Sequence, residues 1–192
     1  MQEENELIIK AKNGDKQAFG ELALMYRKNV FGLIVRMTGN PLEAEDLTQD
    51  VFVRAYLSMN RFTPNRDGAF KSWILTIASR ICIDRSRQLR KRSCDAFSEQ
   101  DLETLTAEEN VMESVVKQET ERELRAALLS LPENYRMVIV LKYLEDLDYQ
   151  EISRITGAPI GTVGTWLRRG LEMLRTDQHV KEVATSEKTM AK

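Results

Sequence analysis

The stretch AFKSWILTIASRICIDRSRQLRKRSC, residues 69–94, carries two patterns on one helix. On a wheel of 100° per residue, Phe70, Ile74, Ile77, Ala78 and Ile81 fall on one arc, the core-facing side of an amphipathic helix. Trp73, Arg80, Asp84, Arg87 and Lys91 fall within about 40° of a common line beside it. An aromatic ring at the head of a cationic row suits a nucleic-acid strand, because the ring stacks on a base while cations track phosphates. Two plainer readings compete: Trp73 as filling at the helix start, and the row as a solvated face.

Upstream, Asn13-Gly14-Asp15 punctuates the chain, and Phe19, Leu22, Tyr26, Val30, Leu33 and Met37 then recur at helical spacing until Gly39. Asn40-Pro41 opens the next helix as N-cap and first-turn proline, with Glu43 at the position that closes a capping box. This second helix runs to about residue 60. RFTPNRDGAF, residues 61–70, is a loop built on Pro64, Asn65 and Gly68, and the opening stretch is the third long helix of the bundle.

Downstream the charge changes abruptly. Residues 1–94 carry 16 basic and 11 acidic groups, residues 95–113 carry seven acidic and no basic ones, and residues 114–192 carry 12 of each. The net charge of −2 over 192 residues therefore conceals a basic module and an acidic spacer. Residues 93–113 lack a sustained apolar period and read as a flexible tether, spanning about 25 Å root-mean-square. A second module of three or four short helices follows over 114–176, and the last sixteen residues form a polar tail. The fold class is therefore all-α: two small helical domains joined by an acidic linker.

Within the second module, YQEISRITGAPIGTVGTWLRRG, residues 149–170, has the spacing of a helix-turn-helix. Ile152 and Ile155 face the core, Ser153 sits where the helices cross, Gly157 supplies a left-handed turn, and Val163 and Leu167 seat the second helix. Thr162, Gly164, Thr165, Trp166, Arg168 and Arg169 are left toward solvent or the rim, and Thr and Arg suit base edges and phosphates. A helical hairpin with a basic end is the plain alternative.

Several functions are disfavoured. No apolar run approaches a membrane span, and the acidic N-terminus is no secretory signal, so a cytoplasmic location is expected. Cys82 and Cys94 fit two unrelated thiols better than a redox pair. The single histidine, His179, stands in the polar tail, no metal-ligand spacing occurs, and no Gly-rich phosphate loop is present, so neither an enzyme nor a cofactor or metal is expected.

The motifs DKQAFGELALMYRKNVF, AEDLTQDVFVRAYLSMNRF, FKSWILTIASRICIDRSRQLRKR, LPENYRMVIVLKYLEDLDYQEIS and PIGTVGTWLRRGLEMLR, in this order over roughly residues 5–176, resemble the extracytoplasmic-function (ECF) sigma factors of the sigma-70 family. The resemblance implies a core-binding and −10-melting region at 5–92, a linker at 93–113, a −35-reading region at 114–176 and a tail at 177–192. It implies that segment 46–59 docks on the clamp helices of the polymerase largest subunit, with Asp46, Gln49, Asp50, Phe52 and Arg54 as candidates. Asp46, Gln49, Asp50 and Arg54 share one polar helical face by spacing alone. Phe62, Asn65, Arg66, Trp73, Arg80, Asp84, Arg87 and Lys91 would hold the −10 strand. Thr162, Gly164, Thr165, Trp166, Arg168 and Arg169 would read the −35 duplex and lie near the polymerase flap. Relatives often carry Asn where Arg80 stands, and GTVKSRL where this chain has GTVGTWL, which moves the −35 contacts toward Thr165, Arg168 and Arg169. The implied partners are core RNA polymerase, promoter DNA and an anti-sigma factor, in a stress response. A helix-turn-helix regulator that is no polymerase subunit shares only the distal module.

Overall fold

The computed structural model describes residues 2–63, 69–95 and 113–176, with helices in every described segment. The proximal module holds α1 (Gln2–Lys12), α2 (Lys16–Thr38), α3 (Pro41–Ser58) and α4 (Ala69–Asp95), with a 3-10 turn at Met59–Arg61. The distal module holds α5 (Glu113–Ser130), α6 (Glu133–Ile139), a π turn at Val140–Leu144, α7 (Tyr149–Thr156) and α8 (Ile160–Thr176).

Local chemistry sets the helix ends. Asp15 caps α2, its carboxylate accepting from the amides of Gln17 and Ala18 at 2.9 and 3.1 Å. Gly39 ends α2 in the left-handed region, φ 76°, and donates to the Val35 carbonyl. Asn40 caps α3 as expected, accepting from Leu42 and Glu43 amides. Glu43, however, closes no capping box: its carboxylate accepts from Arg85 on α4, a charged partner that outweighs a backbone amide. A full capping box forms instead at Asp148 and Glu151, opening α7.

Neither Gly nor Pro interrupts residues 69–95, and α4 continues through residue 95, past the expected tether start at 93. Residues 96–112, most of the acidic spacer, and residues 177–192 lie outside the described residues.

The buried side chains of the two helical modules meet. Leu22, Val30, Leu33, Ile34, Val51, Phe70, Ile74 and Ala78 of the proximal module and Leu128, Met137, Leu141, Ile152 and Val163 of the distal one belong to a single contiguous buried cluster. α7 packs along α4, and α5 lies against α2. At Gly39 the modules approach so closely that a Cβ would sit 2.6 Å from Leu129 Cδ1.

Candidate nucleic-acid and polymerase interfaces

Helix α3 buries Ala44, Thr48, Val51 and Ala55 on one side. Asp46, Gln49, Asp50 and Arg54 are exposed, and Phe52 is half-buried against the core. The exposed side also carries Leu42 (60% exposed), Val53 (57%) and Leu57 (73%). With Asp46, Gln49 and Asp50 these lie within an arc of about 100°. The three aliphatics were not among the expected site residues. Their signal was present: apolar side chains at helical spacing on the side opposite the buried stripe. An apolar strip edged by carboxylates fits a partner helix rather than water.

On α4 the core arc is as expected, with Phe70, Ile74, Ala78 and Ile81 buried and Ile77 half-buried. Arg80, Asp84, Arg87 and Lys91 are exposed, and the Arg87 guanidinium stands 4.0 Å from the Asp84 carboxylate. Trp73 is half-buried at the head of this row, its ring 4.9 Å from that of Phe62 and 5.5 Å from that of Phe70. Phe62 itself is only 4% exposed, so its ring stands beneath the surface. It packs edge-on against Phe70 and stands beside the Trp73 ring, supporting the head of the row from below. Beside Trp73 opens a cavity of about 200 Å³ lined by Arg61, Phe62, Thr63, Thr76 and, from α7, Arg154. Asn65 and Arg66 lie outside the described residues.

Helices α7 and α8 form the expected helix-turn-helix. Ile152, Ile155, Val163 and Leu167 are buried, and Gly157 turns the chain at φ 72°. The Ser153 hydroxyl donates to the Ala158 carbonyl at 2.6 Å, binding the turn to the first helix. Arg168 and Arg169 are exposed, Arg168 standing 3.8 Å from Glu172 one turn on. Thr162, Gly164 and Thr165 are half-exposed, and the Thr165 hydroxyl donates to the Gly161 carbonyl. Trp166 is half-buried and packs on the core, so its indole seats α8 while one edge reaches solvent.

Among the described residues no group of three or more His, Cys, Asp and Glu side chains could hold a metal ion. No helix among them is long and apolar enough to cross a membrane.

Residues 22–92 match the family Sigma-70 region 2, and residues 121–174 match Sigma-70, region 4. The chain is 36% identical over 178 residues to the ECF RNA polymerase sigma factor SigW of Bacillus subtilis, covering 88% of this chain and 92% of that protein. It is 33% identical over 179 residues to the ECF RNA polymerase sigma factor SigE of Mycolicibacterium smegmatis, covering 90% and 68%. Two solved structures share the fold. CnrH, in complex with the cytosolic domain of CnrY, matches with a TM-score of 0.65 at 22% identity over 90% of this chain and 95% of that one. The sigma factor RpoE of Bartonella quintana, in complex with the anti-sigma factor NepR, matches with a TM-score of 0.67 at 19% identity over 82% and 94%. Two family matches in the expected order and relatives of over 30% identity aligned along nearly the whole chain show the family: the chain belongs to the ECF sigma factors of bacterial RNA polymerase.

Proposed function

We propose that the chain carries out promoter-specific initiation through three separate faces. The α3 face, with Asp46, Gln49, Asp50 and Arg54 around Leu42, Val53 and Leu57, docks on the clamp helices of core polymerase. The α4 row of Trp73, Arg80, Asp84, Arg87 and Lys91 holds the melted −10 strand, joined by Asn65 and Arg66 from the preceding loop. Helix α8 reads −35 duplex through Thr162, Thr165, Arg168 and Arg169, with Gly164 and Trp166 shaping the approach. The regions so used are 5–92 and 114–176, joined by 93–113, with 177–192 as a tail.

The observation that carries this is the α4 row: cations exposed in line behind a tryptophan whose plane is fixed by Phe62 and Phe70, with a cavity at its edge. Such a surface captures unpaired bases and has no obvious use on intact duplex. Opening DNA costs about 1.4 kcal/mol per stacked step, and captured bases return a few kcal/mol each. A −10 bubble therefore needs the polymerase's own channel as well, and the free chain is expected to bind promoters weakly. Sigma factors are transcription initiation factors, and the polymerase supplies the chemistry.

A regulator acting without polymerase is not favoured, because it accounts for α8 and leaves α3 and α4 unexplained. The relatives' biology further supports a cytoplasmic location and an anti-sigma partner, by analogy with NepR on RpoE. Run-off transcription with purified core enzyme and a promoter library tests the proposal. Promoter-specific starts that depend on the chain are expected; starts unaffected by it would refute the reading.

A further inference from the structure

Helix α1 lies outside the residues matched by the family, which begin at 22, and none of the three faces proposed above includes it. It is nevertheless joined to the base of the Trp73 ring by two routes. Ile8 and Ala11 are buried in the core cluster, and the Asp15 amide donates back to the Lys10 carbonyl at 3.1 Å, so α1 folds directly onto α2. There the Tyr26 hydroxyl of α2 donates to Glu4 Oε1 of α1 at 2.5 Å. The Tyr26 ring stands 5.4 Å from that of Phe70, tilted at 44°. Phe70 is fully buried, and its ring lies 5.5 Å from Trp73 and 5.7 Å from Phe62. By the second route α1 touches the 3-10 turn at Met59–Arg61, where the Met59 carbonyl accepts from the Phe62 amide at 3.1 Å. Arg61 and Phe62 both line the cavity at the edge of Trp73.

Resting on the reading of α4 as the −10 face, we propose that Glu4 and Tyr26 are positioning residues for strand capture, setting the pose of Trp73 through the ring of Phe70. Three features argue for it. The bond is charge-assisted, about twice as strong as one between neutral groups, and both of its partners are half-buried. Burial first, and then the Glu4 carboxylate, raise the Tyr26 hydroxyl well above its ordinary range, so it remains a donor throughout the neutral range. Between Tyr26 and Trp73 the rings meet tilted or edge-on, and a close-packed interior transmits a displacement rather than absorbing it. A group that must meet a base in one orientation needs such support behind it. As a mere cover for the core, α1 would need Ile8 and Ala11 and not the hydroxyl of Tyr26.

The test uses holoenzyme and a single-stranded non-template −10 oligonucleotide from a promoter found by the run-off assay. Glu4→Ala and Tyr26→Phe should each weaken oligonucleotide binding about threefold or more, with −35 duplex binding unchanged. Tyr26→Phe keeps the ring and its packing, which guards against a loss of folding. Glu4→Gln retains an acceptor oxygen and should restore binding to within about twofold of wild type. In a Trp73→Ala chain, Glu4→Ala should have no further effect, because the residues act in series. An equal loss with and without Trp73 overturns the proposal, as does no loss in either.

A second readout needs no DNA. The chain has two tryptophans, so Trp166→Phe leaves Trp73 as the sole emitter. In the free full-length chain, Glu4→Ala should raise acrylamide quenching of Trp73 emission and Glu4→Gln should not. Emission and quenching unchanged by Glu4→Ala overturn the proposal. Failure of the −10 reading is separate: Trp73→Ala would then leave oligonucleotide binding intact, and the pose of Trp73 would still be judged by its emission.

Discussion

Trp73 concentrates the chemistry of the proximal module. Its ring is held between Phe62 and Phe70, so on the proposed reading its orientation is set before DNA arrives. Stacking is worth about 1–3 kcal/mol per base, and Trp73→Ala should therefore reduce open-complex formation roughly tenfold or more while leaving −35 duplex binding intact. Permanganate footprinting of the bubble alongside duplex binding by holoenzyme measures both. On α8, Arg168→Gln is expected to weaken binding across sequences and to lower the salt slope of log K by about 1, as loss of one phosphate contact requires. Cys82 behaves differently. Burial, with Glu133 and Glu43 nearby, pushes its thiol up to about 12 from 9.0. The folded chain thus keeps a proton that the unfolded chain releases, so this contribution to stability is intact below pH 9 and declines between pH 9 and 12. Between pH 9 and 10 the wild type should lose about 1 kcal/mol more than Cys82→Ala, read from urea unfolding at each pH.

At the scale of elements, two glycines with the same left-handed backbone should differ in their response to substitution. A Cβ at Gly157 meets nothing within 4 Å, so Gly157→Ala carries the backbone penalty alone, about 1–2 kcal/mol. At Gly39 the same penalty is joined by a 2.6 Å approach to Leu129 Cδ1, the end of a half-buried side chain that must turn aside, so Gly39→Ala should cost somewhat more. Urea midpoints of the two variants, with unchanged slopes, compare them. Helix ends and periods were readable from residue types: Asp15, Gly39, Asn40 and Gly157 stand where the backbone needs a side-chain acceptor or positive φ. Glu43 misled because a capping box and a salt bridge draw on the same carboxylate, and only the tertiary position of Arg85 decides between them. That Phe62 is buried beneath Trp73 was not legible either, because the burial of an aromatic at a loop edge depends on where α4 begins.

The whole molecule holds what periodicity along the chain could not reveal. The wheel of α4 displayed a core arc and a cationic row, yet Leu75 and Cys82 belong to neither, and their burial requires a second module laid against them. That contact joins residues as distant in sequence as Asn29 and Glu145, beyond the range of any local pattern. Likewise Leu42, Val53 and Leu57 became meaningful only once the opposite side of α3 was seen to be filled. The family resemblance, by contrast, was legible because it rests on ordered motifs rather than on packing. On the proposed reading, distinct faces of few helices serve polymerase, strand and duplex. The claim on which the rest depends is that the row headed by Trp73 faces a separated strand. A photoreactive side chain introduced at Arg87 in the full chain, irradiated within an open promoter complex, tests it directly. Crosslinks to unpaired non-template nucleotides of the −10 region, lost when the bubble is prevented from opening, are predicted; crosslinks confined to duplex DNA, or none, would contradict it.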